Sequence, residues 1–329
     1  MGKFKVFRIR ENDGKIVCGF EQALLDELDP GEVVIKVAHS SINYKDALAA
    51  TGAGKIIRRF PCIGGIDLSG IVVESSDPQF KPGDEVICTS FDLGVAHDGG
   101  YAEYARVRAG WVVPLPKGLT LFDAMALGTA GFTAGLGIMQ LEHNGLRTEN
   151  GPVIVTGASG GVGSISVDIL SGLGYKVVAV TGKETQTAFL KGLGAAEVKP
   201  RQSIDLGKIR PLDKALWAGA VDNIGGDMLA WIASTMMENG SIASIGLAAG
   251  MTLNTTVAPF ILRGVNLLGI NSVATPMPLR QQVWGQLAGR LRPRHLNTLA
   301  QSLPFGELPG AFSAFIESRV KGRIVVSMQ

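Results

Sequence analysis

The chain has 329 residues, 46% hydrophobic and 18% charged, with 31 basic against 29 acidic side chains and a formal net charge of +2. Its 44 glycines and 15 prolines stay below a low-complexity share, so disorder and collagen are excluded, and the length suggests about two domains. Charges spread without long runs give no footprint for nucleic acid or an anionic membrane; the expected partner is a small molecule.

Residues 1–13 scatter charges and lack the apolar core of a signal peptide, so secretion is not expected. The first third then reads as β-rich: Val33, Ile35 and Val37 alternate with residues of the other face, and short apolar runs follow at 71–73, 86–88 and 101–107. Asp29-Pro30-Gly31, Lys81-Pro82-Gly83-Asp84 and Asp98-Gly99-Gly100 separate them as turns, which predicts an antiparallel, barrel-like domain. From about Leu121 the rhythm changes to alternating strands and helices. Two uncharged stretches, 124–141 and 239–262, hold too many Gly, Ser, Thr and Asn residues for lipid and read as buried parts of a soluble fold.

Val153-Ile154-Val155 is an apolar strand running into Thr156-Gly157-Ala158-Ser159-Gly160-Gly161-Val162-Gly163. Val162, Ile165, Ile169, Leu170 and Leu173 then recur at helical spacing. A strand at 176–180, a helix at 185–193 and strands at 220–224, 241–245 and 265–270 follow, then a helix at 279–291 and a last strand at 324–327. This alternation predicts a parallel sheet covered on both faces.

Cys18, Cys62 and Cys88 are odd in number and widely spaced, which fits a reducing cytoplasm and no disulfide framework. His39, His97, His143 and His295 show no metal-ligand spacing.

A strand turning sharply into a helix offers backbone N–H groups and the positive end of the helix dipole, a natural diphosphate site. Gly160, Gly161 and Gly163 allow close approach there, although Ala158 stands where the usual motif has its first glycine. The next strand ends in Val180-Thr181-Gly182-Lys183, without the carboxylate typical of NAD sites. A hydroxyl at Thr181 and a cation at Lys183 suit a 2′-phosphate, so NADPH is the expected cofactor; Glu184 counts against it unless it is a solvated helix-start residue.

TGASGGVG, GTAGFTAG at 128–135 and GGYAEY at 99–104 together resemble the medium-chain dehydrogenase/reductase superfamily. SSINYKDALAATGAGKIIRRFPCIGGIDLSG at 40–70 and TTVAPFILRGVNLLGINSV at 255–273 are similar to its YhdH/YhfP-type group of quinone oxidoreductases and acryloyl-CoA reductases. The resemblance spans essentially the whole chain. It implies an α/β fold: a GroES-like β-barrel catalytic domain over 1–123 and 272–329, a Rossmann doubly wound parallel sheet over 124–271, and an active site in the cleft between them. A homodimer is a further expectation from the family.

Zinc-dependent relatives place a cysteine at the Asn43-Tyr44-Lys45-Asp46 motif and Gly-His-Glu at Gly65-Ile66-Asp67, so no metal is expected here. Reduction of a double bond conjugated to a carbonyl needs no Lewis acid, only stabilisation of charge growing on the oxygen. Asn43 could donate its amide toward that oxygen, or be a strand-end turn residue. Tyr44, by resemblance, lies beside the nicotinamide and its ribose and is also a cofactor contact; otherwise it is a half-buried wall. Asp46 could orient these groups or relay a proton, or serve as a helix N-cap. Asp67 reads as structural.

The resemblance further assigns Ser159, Gly160, Gly161 and Val162 to the diphosphate, and Thr181, Gly182, Lys183 and Arg201 to the 2′-phosphate. It places Leu247, Ile261, Ser272 and Ser318 near the rest of the cofactor. Thr129 and Thr133 either line the nicotinamide pocket or are ordinary helix threonines. Lys55, Arg58 and Arg59 are either phosphate contacts for a coenzyme A thioester or a solvated loop. The expected function is zinc-free NADPH-dependent reduction of an activated double bond, acryloyl-CoA to propanoyl-CoA. A quinone or enone reductase and a non-catalytic NADPH-binding protein are the alternatives.

Overall fold

In the computed structural model, which describes residues 2–317 and 319–328, the chain opens with an antiparallel hairpin of β1 (Phe4–Asn12) and β2 (Lys15–Ala23). Its two-residue turn, Asp13 and Gly14, takes φ of 50° and 74°, the mirror-image turn whose twist matches that of the strands it joins. The Asp-Gly pair is the local signal for this hairpin; scattered charges on the outer face hid it from a reading of composition.

The first third continues through β3 (Val33–Ile42), α1 (Tyr44–Thr51), β4 (Cys62–Ile63), β5 (Asp67–Ser75), β6 (Glu85–Thr89), β7 (Tyr104–Val107) and β8 (Val112–Pro114). Every pairing among these strands is antiparallel, as the alternation predicted. Helix α2 (Leu121–His143) follows, interrupted at Gly128, where φ is 52° and ψ is −156°. It is the one helix among the described residues long and apolar enough to cross a membrane, yet 83% of its apolar window is buried in the fold.

Then come β9 (Val153–Val155), α3 (Gly161–Gly172), β10 (Val177–Thr181), α4 (Thr187–Gly192), β11 (Glu197–Pro200), β12 (Trp217–Asp222), α5 (Gly226–Thr235), β13 (Met236–Ser244), α6 (Ala258–Leu262) and β14 (Asn266–Gly269). These strands form one parallel sheet in the order β11-β10-β9-β12-β13-β14. Numbered within the sheet, that is 3-2-1-4-5-6, and the order reverses between β9 and β12. Ile154, Val178, Val180, Ala220 and Ile242 bury one face against Leu229, Ile232 and Ala233 of α5.

The chain returns through α7 (Met277–Ala288), α8 (Leu296–Leu299), β15 (Ala300–Pro304), α9 (Leu308–Ile316) and β16 (Arg323–Ser327). β16 pairs antiparallel with β3, Ile324 opposite Ile42, so the last strand joins the sheet of the first third; β15 lies parallel beside it. Packing separates one unit, Met1–Thr129 with Val273–Ala288 and Leu296–Gln329, from another, Ala130–Ser272 with Gly289–His295.

One expectation fails. Stretch 239–262 is buried only in part: Leu247, Met251, Val257, Ile261 and Leu262, all beyond β13, are 60–84% exposed. Beyond that strand Leu253 and Phe260 pack against the core of the parallel-sheet unit and Pro259 is buried, while these five apolar residues stay at the surface.

Candidate active site

The glycine-rich turn connects β9 to α3. Gly157 takes a φ of 57°, and Gly160 is the N-cap of the helix. A Cβ on Gly163 would stand 2.3 Å from the Gly157 carbonyl oxygen and 2.7 Å from Ala158 Cα, so the helix can begin this close to the strand only with glycine there. By helix geometry the N–H groups of Gly161, Val162 and Gly163 have no intrahelical acceptor and are left for an anion.

The turn is tied to both neighbouring strands. Toward β10, Ser159 Oγ lies 3.1 Å from Thr181 Oγ1, which accepts the Lys183 backbone N–H at 3.1 Å. Toward β12, Thr156 donates to Asp222 Oδ1 at 2.6 Å, Gly225 N–H donates to Asp222 Oδ2 at 2.8 Å, and the Asn223 amide donates to the Thr156 carbonyl. Burial pushes the Asp222 carboxyl up, against these hydrogen bonds. Asp222 and Thr156 were not singled out in the sequence; their signal is position, the C-terminal ends of the two strands flanking the switch point.

β10 and β11 run in register with Thr181 opposite Pro200, which brings Lys183 and Arg201 to the same end of adjacent strands. The Gln202 amide donates to the Gly182 carbonyl across that gap at 3.5 Å. Burial lowers the Lys183 ammonium from its ordinary value. Glu184 starts a 3-10 turn at the surface. Thr181 is 2% exposed, and its hydroxyl ties the glycine-rich turn to the end of β10. Leu247 and Ile261 lie in the exposed segment after β13, Ser272 is half-buried, and Ser318 falls outside the described residues.

In the other unit, β3, β5, β16 and the start of α1 converge on buried Asp67. Asp67 Oδ2 accepts Ser41 Oγ at 2.6 Å, Asn43 Nδ2 at 2.8 Å and the Thr129 N–H at 2.9 Å, while Oδ1 accepts Thr129 Oγ1 at 2.5 Å. Arg323, buried on β16, donates to Ser41 Oγ, Asn43 Oδ1 and the carbonyls of Ile42 and Ala126, with Asp67 Oδ2 at 3.8 Å. A Cβ on Gly128 would lie 2.6 Å from both Arg323 Nη2 and Asp67 Oδ2, so the break in α2 makes room for this network.

The structural reading of Asp67 takes a specific form, the hub of this cluster. The Asn43 amide gives its hydrogens to Asp67 and, at 3.2 Å, to Asp46, and its oxygen accepts from Arg323; it has none left for a substrate oxyanion. Asn43 is therefore a positioning residue at the N-cap of α1, and Asp46 sits three residues into the helix, accepting the Asn43 backbone N–H at 2.8 Å. Asp46 also accepts the Ile66 N–H at 3.0 Å. Tyr44, the first helical residue, is 51% exposed.

Burial first, then the neighbouring Asp67, pushes the Asp46 carboxyl up to about 7. The folded protein thus holds this proton more tightly than the unfolded chain, so Asp46 contributes stability below about pH 4 that is lost as pH rises through about 7. The wild-type unfolding midpoint should fall between pH 5 and 8 relative to Asp46→Asn, by a difference on the order of 2 kcal/mol. Thermal unfolding of both across that range checks this; parallel profiles would contradict it.

In the basic cluster Arg58 pairs with Asp92, and Arg59 pairs with Asp29 and donates to the Ala96 carbonyl. Among the described residues no group of three His, Cys, Asp or Glu side chains is placed to hold a metal ion.

The chain matches the alcohol dehydrogenase GroES-like domain over residues 29–117 and the zinc-binding dehydrogenase family over residues 161–288. It is 45% identical to acrylyl-CoA reductase AcuI of Ruegeria pomeroyi, covering 97% of this chain and 96% of that one. YhfP of Bacillus subtilis, provisionally named a quinone oxidoreductase, is 46% identical over 99% of each chain. A YhfP crystal structure with NAD bound superposes at a TM-score of 0.97, 46% identical and covering 100% of each chain. The YhdH oxidoreductase of Salmonella enterica, in complex with NADP, superposes at 0.96 with 45% identity, covering 99% of this chain and 100% of that one. The second family's description carries zinc, which the residues of this chain do not fit. Sheet order, glycine-rich turn and near-complete coverage by these relatives agree: the chain belongs to the medium-chain dehydrogenase/reductase superfamily, in its quinone oxidoreductase-like, acrylyl-CoA reductase-type group.

Proposed function

We propose that the protein is an NADPH-dependent reductase of an activated carbon–carbon double bond, converting acryloyl-CoA to propanoyl-CoA. The observation that carries the cofactor choice is the end of β10: no carboxylate closes it, and Lys183 and Arg201 follow the same ends of adjacent strands. The name of AcuI and its identity support the thioester; the provisional name of YhfP supports a quinone or enone acceptor as the second reading.

The residues fit the cofactor. Ser159, Gly160, Gly161 and Val162 would hold its diphosphate against backbone N–H groups, and Gly182, Lys183 and Arg201 its 2′-phosphate, with Thr181 shaping the turn. Leu247, Ile261 and Ser272 are kept as contacts of its remainder. Bound NADPH supplies a hydride from nicotinamide C4.

The chain's own part is electrostatic. Tyr44 offers a phenolic O–H from the start of α1 to the thioester oxygen, where negative charge grows as the double bond is reduced. Asn43 and Asp46 hold that helix start, and Asp67 with Arg323 fixes Asn43. Residues 124–271 form the NADPH-binding domain and 1–123 with 272–329 the catalytic domain in this proposal. We also propose a cytoplasmic homodimer, for which the open edge strand β14 and exposed Val257 and Leu262 offer an apolar surface; sedimentation at twice 34.6 kDa would support it.

Removing both cations, Lys183→Ala with Arg201→Ala, should raise the KM for NADPH roughly tenfold or more while changing that for NADH little, since a charge-assisted phosphate contact contributes about 1.5–3 kcal/mol. The YhfP structure holds NAD, which makes the comparison informative. Wild-type enzyme that used NADH as well as NADPH would contradict the assignment.

A further inference from the structure

The end of β6 carries a second feature that sequence reading did not single out. Ser90 and Phe91 take φ of 66° and 52°, two consecutive side-chain-bearing residues in the left-handed region. Such conformations persist only where the surroundings over-determine them. Here they do. The Phe91 ring stacks on Trp111 with centroids 5.5 Å apart, the Arg280 guanidinium lies 4.2 Å from the Phe91 centroid, and Arg280 donates to the Thr89 carbonyl at 3.2 Å. The Ser90 N–H is held by the Ile66 carbonyl at 2.8 Å.

The clamped turn aims one group. Ser90 Oγ, in a residue 3% exposed, lies 3.0 Å from Thr129 Oγ1. Thr129 has one hydroxyl hydrogen, and it goes to Asp67 Oδ1. In the Ser90–Thr129 pair the serine is therefore the donor, and the chain runs Ser90 to Thr129 to Asp67 in one direction. Asp67 Oδ2 in turn takes the Asn43 amide at the start of α1. Glycine would relieve the backbone at position 90, but it lacks the hydroxyl.

We propose that Ser90 is a positioning residue of the reductase: its hydroxyl fixes the rotamer of Thr129 against Asp67, and through Asp67 and Asn43 it fixes the helix start that presents Tyr44. This rests on the reductase reading above, and it adds a residue outside the glycine-rich turn and the Asn43-Tyr44-Lys45-Asp46 motif.

Ser90→Gly, Thr129→Val and the double variant test it, with thermal unfolding, NADPH binding and steady-state kinetics on each. Ser90→Gly should unfold at or above the wild-type midpoint, because glycine prefers the left-handed backbone, and bind NADPH as wild type does. Its kcat should fall about tenfold with KM for the acceptor little changed, the mark of lost orientation. In the Thr129→Val background, Ser90→Gly should cost nothing more, since the partner is already gone. Ser90→Asn, which tolerates a positive φ and carries a donor, should recover part of kcat.

Wild-type kcat in Ser90→Gly, a kcat loss matched by a fall in stability, or multiplicative effects in the double variant would each overturn the proposal. Wild-type enzyme that binds NADPH but reduces neither acryloyl-CoA nor a quinone would overturn the reductase reading, and the proposal with it.

Discussion

Arg323→Met lowers the unfolding midpoint by about 10 °C and kcat by at least roughly tenfold, the larger of the two strongest effects expected here. The arginine is 2% exposed and is the counterion of a pocket holding two carboxylates, Asp67 and Asp46. Methionine fills the volume but leaves Asp67 buried without its cation and strips donors from Asn43, Ser41 and two carbonyls. Breaking a buried pair from one side costs about 3–5 kcal/mol, more than the removal of both partners, because the remaining charge stays desolvated. The double change Arg323→Met with Asp67→Leu should therefore be less destabilised than Arg323→Met alone. Calorimetry on the three proteins checks this; a single variant that melted within about 1 °C of wild type would show that the network carries no net charge interaction.

The second large effect is at the glycine-rich turn. Gly163→Ala puts a methyl 2.3 Å from the Gly157 carbonyl oxygen, and backbone on both sides leaves nothing flexible to yield. Overpacking of this kind costs about 1–3 kcal/mol, and the displaced helix end should weaken NADPH binding tenfold or more. Gly160→Ala separates the two consequences. There the nearest atom to a Cβ is 3.3 Å away, so folding should survive while the methyl still stands where a diphosphate approaches the N–H groups. Titration of NADPH against both variants, with their unfolding midpoints, gives the comparison; a Gly160→Ala protein that bound NADPH as tightly as wild type would remove the turn from the cofactor site.

The parallel sheet was legible because its strands, such as 153–155 and 176–180, are apolar on both faces and separated by helical spacing. The turn at 156–163 was legible for a different reason: glycine is needed where backbones approach, and that need is local in sequence. The β1–β2 hairpin was less visible, since its partly exposed strands carry charge, and the return of β16 to β3 followed only from the family resemblance, because the pairing joins residues some 280 apart.

The same limit applies to the candidate site. Asn43, Tyr44 and Asp46 stand in one motif and were found together. Asp67, Thr129, Ser90 and Arg323 reach Asn43 from four other places in the chain, and only the folded sheet shows that the Asn43 amide is already engaged. The ion pairs of the basic cluster were hidden for a related reason: Asp92 and Asp29, the partners of Arg58 and Arg59, each lie some 30 residues away in the chain.

The most direct measurement follows the hydride itself. NADPH carrying deuterium at the transferred position of nicotinamide C4 is incubated with the enzyme and acryloyl-CoA, and the product is analysed by mass spectrometry and NMR. The proposed function predicts propanoyl-CoA with one deuterium on the β-carbon and a solvent-derived hydrogen on the α-carbon. Absence of propanoyl-CoA, or deuterium found on the α-carbon, would contradict it, and NADPH oxidation seen only with a quinone would give the protein to the second reading.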